Sequence, residues 1–406
     1  MAPRPGTGAN QGLVRRHNLA TLLGHVHRRG RVTRAELTSA MGLNRSTIAA
    51  LVSELEAAHL VAQKTPQVAR RGAGRPSREV LPGPREVSVL AVELRVDRVI
   101  GARVGLGGRL LAHADLPNPR SGDPAEVAAS VRELSRKLVA DAPESGALVG
   151  MGVAVPGIVG TADGVVHMAP NLNWTDVGFR DLLGRTVGGC LPIGLGNDAD
   201  LGALAEHVRG VGTACDHMVF VNGSVGVGGG IIAGGQAMRG AWGYAGEVGH
   251  MLVNPDGGTC RCGRRGCWET EIGSQAVAAA VDGDPLDLDA LGKLLGSVVE
   301  PTARLREVGD HLGSGLANLV NLLNPEVIVL GGLLRNLYPV VRAESDRALA
   351  EGAHRAARRR TQVRLPGLGA DSIILGAAEL AFGELLADPM PVVARSAGAL
   401  AALSSA

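Results

Sequence analysis

The sequence predicts an α/β protein in which a small, basic, helical module precedes a larger body of strands and helices. Three observations predict it. Charge is divided unevenly: residues 1–85 carry 14 Lys and Arg against 4 Asp and Glu, a net of +10, which leaves 27 basic and 35 acidic residues, a net of −8, in the rest of a chain whose overall charge is +2. Apolar residues recur at helical spacing in the first module and in strand-like runs from Val87 onward. One glycine-rich loop, from Glu247 to Glu269, holds a histidine and three cysteines. At 406 residues the chain is too long for one ordinary domain. It is 45% hydrophobic but only 2% aromatic, so its core has to be built from Val, Leu, Ile and Ala. No apolar run approaches the roughly 20 residues a membrane helix needs, and no apolar signal core follows the N-terminus. These features predict a cytoplasmic protein with no membrane partner.

In the first module, Leu19, Leu22, Leu23 and Val26 form one apolar stripe, so residues 13–27 read as a helix that Gly30 ends. Thr33-Arg-Ala-Glu36 fits a capping box and opens a short helix carrying Leu37, Ala40 and Met41. Gly42 breaks it, and Asn44 can cap the next helix, whose buried stripe is Ile48, Leu51, Val52 and Leu55. Helix, glycine-containing turn, helix is the helix-turn-helix pattern, whose second helix enters the major groove of DNA. Asn44, Arg45, Ser46 and Thr47 would then meet base edges and phosphates. An ordinary three-helix bundle with a solvated face competes with this reading. Leu60–Thr65 reads as a strand, residues 70–77 as a basic glycine-rich hairpin, and Val80-Leu81 as the return strand, which together look like a wing. Arg71 and Arg75 lie in it, and Arg75 between Gly74 and Pro76 suits a narrow minor groove. Combined with the charge asymmetry, the module is expected to bind double-stranded DNA. Its expected bounds are 1–82, and Pro82, Gly83 and Pro84 mark a linker over 83–87.

The body begins with three strands of a meander, Val87–Leu94, Val99–Val104 and Arg109–Ala114. An amphipathic helix (124–140) and a buried strand (148–155) follow. The strand 191–196 ends at Asn197-Asp198-Ala-Asp200, where a helix begins. Strands 217–222 and 228–233 frame the glycine-rich turn from Gly223 to Gly230. A helix (308–323), a strand (327–330) and a closing helix (371–386) complete the order.

His250, Cys260, Cys262 and Cys267 fall within eighteen residues and supply one imidazole and three thiolates, a full ligand set for a closed tetrahedral structural zinc site. Gly257, Gly258, Gly263 and Gly266 let the loop fold tightly. A disulfide or redox pair is the competing reading, disfavoured in a cytosolic chain. Cys190 and Cys215 stand alone and read as core residues. Glu247 and Glu269 bracket the loop, so the metal is expected to shape a pocket.

This order is similar to the actin-like ATPase fold of sugar kinases, and the motifs resemble the ROK family of bacterial sugar kinases and sugar-responsive repressors. The matching segments are Asn197-Asp198-Ala, the Gly223–Gly230 loop, Arg239-Gly240 through Ala245-Gly-Glu247-Val-Gly-His250, the Cys260–Glu269 loop, and Asn324 to Gly332. Ala169-Pro-Asn171-Leu-Asn-Trp174 also looks like a family segment. The resemblance spans about 88–386, and the winged module in front matches the repressor branch. It implies a two-lobed body over 88–387, with lobe 1 at about 88–197 plus 370–387, lobe 2 at about 198–369, and a tail at 388–406. It further implies a sugar site of Asn171, Asn197, Asp198, Glu247, His250 and Glu269, with Gly157 nearby. Asp198 stands where the family's catalytic base accepts the proton of a sugar hydroxyl, although it could instead serve only as a helix N-cap. His250 would offer one ring nitrogen to zinc and the other to sugar or its surroundings.

One departure decides between kinase and sensor. Kinases of the family resemble Asp-x-Gly-Gly-Thr at the first strand turn, where glycines let backbone N–H groups approach ATP phosphates. This chain has Glu93-Leu-Arg95-Val96-Asp97, with bulk and negative charge in their place. Phosphoryl transfer depends on positioning and charge neutralisation, so no enzymatic activity is expected and Asp198 becomes a vestigial base. The expected function is a DNA-binding regulator, a repressor whose body binds a hexose or related sugar, acting as a homodimer or dimer of dimers on a palindromic operator. A sugar kinase carrying a DNA-binding module, and a regulator answering to a phosphosugar or a partner protein, are the alternatives.

Overall fold

A computed structural model describes residues 11–65, 77–83, 87–119, 121–143, 146–189, 191–396, 398–400 and 403. The first module has three helices, Gln11–Arg29, Arg34–Met41 and Arg45–Ala57, and a three-stranded antiparallel sheet in the order Val32–Thr33, Glu79–Pro82, Val61–Lys64. The expected caps are present. Thr33 and Glu36 form a reciprocal capping box, Gly42 takes the left-handed conformation at φ 65°, and the Asn44 side chain accepts from Thr47 N–H. The two-residue strand Val32–Thr33 has no counterpart in the sequence reading, because two residues are too few to show alternation. Arg71 and Arg75 lie outside the described residues.

The body has two five-stranded sheets. In the first, Ile193–Asn197, Ala147–Val155 and Val87–Leu94 run parallel, and Arg98–Gly105 and Arg109–Pro117 add antiparallel. Strand alternation places Val87, Val89 and Ala91 on one face, with helix Ser372–Ala387, and Leu90, Val92 and Leu94 on the other, with helix Pro124–Val139. The second sheet is ordered Gln236–Ala237, Val227–Ala233, Met218–Gly223, Val327–Gly332, Gln362–Arg364. Val219, Val221, Ile328 and Leu330 pack with helix Ala303–Leu323, while Phe220, Ile232 and Val329 face the other way, toward Ala203.

Helix Asp198–Arg209 lies between the sheets. A Cβ on Gly230 would overlap the Ala199 carbonyl, one on Gly376 the Leu201 carbonyl, and one on Gly202 the Phe220 ring. The helix therefore meets the second sheet and helix Ser372–Ala387 backbone to backbone. Past that helix the chain forms a further one, Pro389–Arg395, with Val392 buried. The first module is not a separate bead: Leu19, Leu22, Leu23 and Val26 share one apolar cluster with Ile374, Ala378 and Phe382 of the body.

Candidate functional site

The loop after strand Gln236–Ala237 is anchored by an isolated bridge between Leu252 and Cys267 and a second between Thr259 and Arg265. Cys260 N–H donates to Arg264 C=O at 2.8 Å, and Gly263 N–H donates back to Cys260 C=O at 3.0 Å. Gly263 and Gly266 adopt φ of 87° and 70°, and a Cβ on Gly266 would overlap the Asn254 carbonyl. Of the four glycines singled out in the loop, these two carry its backbone demands. The result brings one ligand atom each from His250, Cys260, Cys262 and Cys267 to within 4.8 Å of one another. His250 Nδ1 lies 3.6 Å from Cys260 Sγ, and Cys262 Sγ 3.6 Å from Cys267 Sγ. Ligands about 2.0–2.3 Å from a central ion at tetrahedral angles are separated by roughly 3.3–3.8 Å, so the residues fit a metal ion. Burial and the facing thiols push Cys267 up to about 12, and burial raises Cys260. Cys262 is instead lowered, first by the N–H of Arg264.

The pocket is built around the junction of strand Ile193–Asn197 and helix Asp198–Arg209. Asn197 is the helix cap: its Oδ1 accepts from Ala199 and Asp200 N–H at 2.8 and 3.1 Å, and its Nδ2 donates to Gly157 C=O at 2.9 Å. Capping thus falls mainly to Asn197, while Asp198 Oδ1 shares the Ala199 N–H at 2.9 Å. Asp198 Oδ2 accepts from Asn222 Nδ2 at 2.9 Å. Burial pushes the Asp198 carboxyl up to about 6, against the hydrogen bonds from Ala199 and Asn222. Across the pocket, His250 Nε2 lies 3.7 Å from Glu247 Oε2, so the ring turns Nδ1 to the thiols and Nε2 to the pocket side. Burial raises Glu247 as well, with His250 opposing. Glu269 is tied in two directions: Oε2 accepts from Val227 N–H at 3.0 Å, and Oε1 lies 3.7 Å from Cys260 Sγ. Asn171 stands on the opposite wall, its Oδ1 accepting from Arg261 of the cysteine loop at 2.7 Å.

The cleft between the sheets opens beside this pocket as a cavity of about 340 Å³ whose walls include Asp198, Asn222, Ser224 and Asp371. The Glu93–Asp97 turn forms one side of it. Arg95 Nε lies 3.4 Å from Asp97 and its guanidinium 4.0 Å from Asp289. Arg98 pairs with Asp97 at 2.8 Å and with Asp289 at 3.3 Å. Asn118 Nδ2 donates to Arg95 C=O at 2.7 Å. The turn is thus braced by its own side chains and tied across the cleft to helix Leu288–Ser297. Burial pushes the adjacent Glu93 up to about 7, with Arg95 opposing.

Residues 89–384 match the ROK family. The chain belongs to this family. Its relatives divide between regulators and kinases. The xylose repressor of Bacillus subtilis (strain 168) is 28% identical over 337 residues, covering 82% of this chain and 86% of the relative. The glucokinase of Halalkalibacterium halodurans is 31% identical over 297 residues, covering 66% of this chain and 87% of the relative. The crystal structure of a ROK family transcriptional regulator, a homolog of the E. coli MLC protein, superposes with a TM-score of 0.69 at 22% identity, over 96% of this chain and 100% of that one. That likeness is one of fold, and it extends over the N-terminal module and the body together.

Among the ROK motifs, Asn197 and Glu247 line one recess, Asp198 and Asn171 line the adjoining cavity, and His250 and Glu269 neighbour them through Glu247 and Val227. On the winged module, Asn44, Arg45 and Ser46 are exposed at the start of helix Arg45–Ala57, with Thr47 half-buried behind them. The Asn44 oxygen is already engaged by Thr47 N–H and the Ser46 hydroxyl, each at 2.8 Å, so only its amide nitrogen is free to donate outward. Asp200 was not singled out from sequence. It lies one helical step beyond the motif, and burial pushes it up to about 7 against Arg239. Tyr244 was missed too; it lines the same recess as Asn197, Asp200 and Glu247.

Asp198 carries a testable cost. Its folded-state value of about 6 lies above the ordinary 3.8, so the unfolded chain releases this proton first. Stability falls as pH rises from about 4 to about 6 and is level above, by roughly 1–3 kcal/mol for this group. Asp198→Asn is expected to raise unfolding stability at pH 7 by that amount and to flatten the decline. Denaturant melts at pH 4, 5, 6 and 7 check it; an unchanged or lower stability at pH 7 would contradict the assignment.

Proposed function

We propose that this ROK protein is a sugar-responsive transcriptional repressor of the cytoplasm, without kinase activity. The observation that carries the reading is the contrast inside one cleft. The polar pocket around Asn197, Asp198, Glu247, His250 and Glu269 is assembled, while the turn that would take nucleotide phosphates is filled by Arg95 and locked by Asp97, Arg98 and Asp289. A sugar presents hydroxyls that fixed donors and acceptors can read, and this pocket offers both, with Asn171 closing the far side. Coverage points the same way: the regulator structure spans 96% of this chain and the xylose repressor 82%, against 66% for the glucokinase. No helix among the described residues is long and apolar enough to cross a membrane.

The winged module reads the operator through Arg45, Ser46, Thr47 and the Asn44 amide, with Arg71 and Arg75 of the wing on flanking phosphates and the minor groove. One such module covers a half-site, so a homodimer, or a dimer of dimers, on a palindromic operator is the matching assembly. Sugar relieves repression by binding more tightly to the state that holds DNA poorly. The domain division 1–82, 83–87 and 88–387 follows the same logic.

The kinase reading keeps one specific support, since Asp198 stays oriented by Asn222 as a base would need. A single set of assays separates the two. DNA fragments selected by the full-length protein are expected to lose affinity when D-xylose or D-glucose is added, with no ADP formed from ATP and either sugar. Sugar-dependent ADP release at enzymatic rates would overturn the repressor-only reading, and DNA affinity indifferent to every sugar tried would overturn the sensor.

Zinc is the metal that the His/Cys3 set suits. Held by His250 Nδ1 and the three sulfurs, it would supply the positive charge that keeps three close thiols ionised, and so fix Glu247 and Glu269 on the pocket wall. One zinc per chain is expected by elemental analysis of the purified protein. Cys262→Ser is expected to lose it together with sugar binding. A metal-free protein with an intact sugar response would refute the assignment.

A further inference from the structure

Helix Asp198–Arg209 has a second polar end, far from the pocket. Arg209, its last residue, has a side chain only 9% exposed. Its Nε donates to Glu379 Oε1 at 2.6 Å, and its terminal nitrogen donates to the carbonyls of His27 at 3.0 Å and Gly107 at 3.1 Å. His27, fully buried, belongs to the first helix of the winged module. Its Nδ1 accepts from Gly107 N–H at 3.2 Å, and its Nε2 lies 3.1 Å from Glu379 Oε2 and 2.6 Å from a terminal nitrogen of Arg209. Burial pushes the Glu379 carboxyl up, but hydrogen bonding and charge from His27 and Arg209 outweigh it and hold it below its ordinary value. Residues 182 and 352 positions apart thus meet in one buried cluster at the seam between module and body.

A module that only had to be held could be held by apolar packing, which the surrounding cluster of Val26, Ala378 and Phe382 already supplies. A buried ion pair adds little net stability over apolar residues of the same volume. What this cluster adds is direction. The His27 carbonyl lies in the last turn of helix Gln11–Arg29, where backbone acceptors lack helical partners, so the end of one helix grips the end of another. The opposite end of the gripping helix is the pocket, capped by Asn197 and opened by Asp198. Its 12 residues span roughly 18 Å. Gly230 and Gly376 seat it backbone to backbone, so no side-chain repacking can absorb a shift.

We propose that helix Asp198–Arg209 is the rod that carries the state of the pocket to the DNA-binding module, and that Arg209, Glu379 and His27 form the joint that receives it. The proposal rests on the sugar-responsive reading above. A sugar that moves Asn197 and Asp198 moves Arg209 by the same step, and Arg209 re-aims the helix that carries His27.

The test compares the full-length protein with the double variant Arg209→Met, Glu379→Met, which removes both members of the Arg209–Glu379 pair together. Affinity for a selected DNA fragment is measured with and without D-xylose or D-glucose, and sugar affinity by calorimetry. The sugar-induced change in DNA affinity is expected to drop from the wild-type factor, about 5–150-fold for typical coupled sites, to within about twofold of unity. Sugar affinity and sugar-free DNA affinity are expected to persist. A variant that keeps the wild-type factor would overturn the joint while leaving the sugar-responsive reading intact. A wild type with no response to either sugar would overturn both. Should the variant not fold, hydrogen exchange on the wild type decides: sugar is expected to alter protection of amides in residues 23–30 and 104–108, and changes confined to the pocket would overturn the proposal.

Discussion

Everything else in the body depends on how closely helix Asp198–Arg209 is seated. Glycines at 230 and 376 let its carbonyls approach the second sheet and helix Ser372–Ala387 where any side chain would intrude, and Gly202 lets the Phe220 ring lie against it. Interiors packed at this density switch between discrete arrangements more readily than they bend. The helix starts at the pocket and ends at the seam with the winged module. A change at either end is therefore a change in the whole element.

The second constraint is electrostatic. Carboxyls of Asp198, Asp200 and Glu247 crowd one pocket, and burial raises all three. Such a set is poorly stable when empty and is relieved by a ligand that donates hydrogen bonds to it. The cysteine loop holds the facing wall at a fixed distance, because Glu269 joins a backbone N–H of strand Val227–Ala233 to the neighbourhood of Cys260. Where the cleft continues past Asp198, charge is already neutralised within the protein: Arg95 and Arg98 meet Asp97 and Asp289. The pocket suits a polar neutral guest, and the neighbouring turn presents Arg95 and Asp97 to the adjoining cavity.

Much of this was legible in the sequence, and the reason is locality. Caps at Thr33 and Asn44, the strand that ends at Asn197 and the ligand spacing from His250 to Cys267 are all set by residues within a few positions of one another. The family resemblance then joined segments that no periodicity could join. What stayed hidden depends on contacts between distant segments. The Arg209–Glu379–His27 cluster unites three helices, and nothing in the neighbours of His27 marks it as buried. Asp289, which meets both Arg95 and Arg98, sits in a helix of ordinary composition. Asn197 rather than Asp198 is the cap because the strand's last residue, not the helix's first, has the extended backbone that capping requires.

The central claim is that pocket and DNA-binding module share one equilibrium. Linkage makes such coupling reciprocal: if sugar weakens DNA binding by some factor, DNA must weaken sugar binding by the same factor. The direct measurement is calorimetric titration of D-xylose or D-glucose into the full-length protein, alone and saturated with its selected DNA fragment. The account predicts weaker sugar binding in the DNA complex, by the factor found in the converse experiment. Equal sugar affinity in the two states would contradict it.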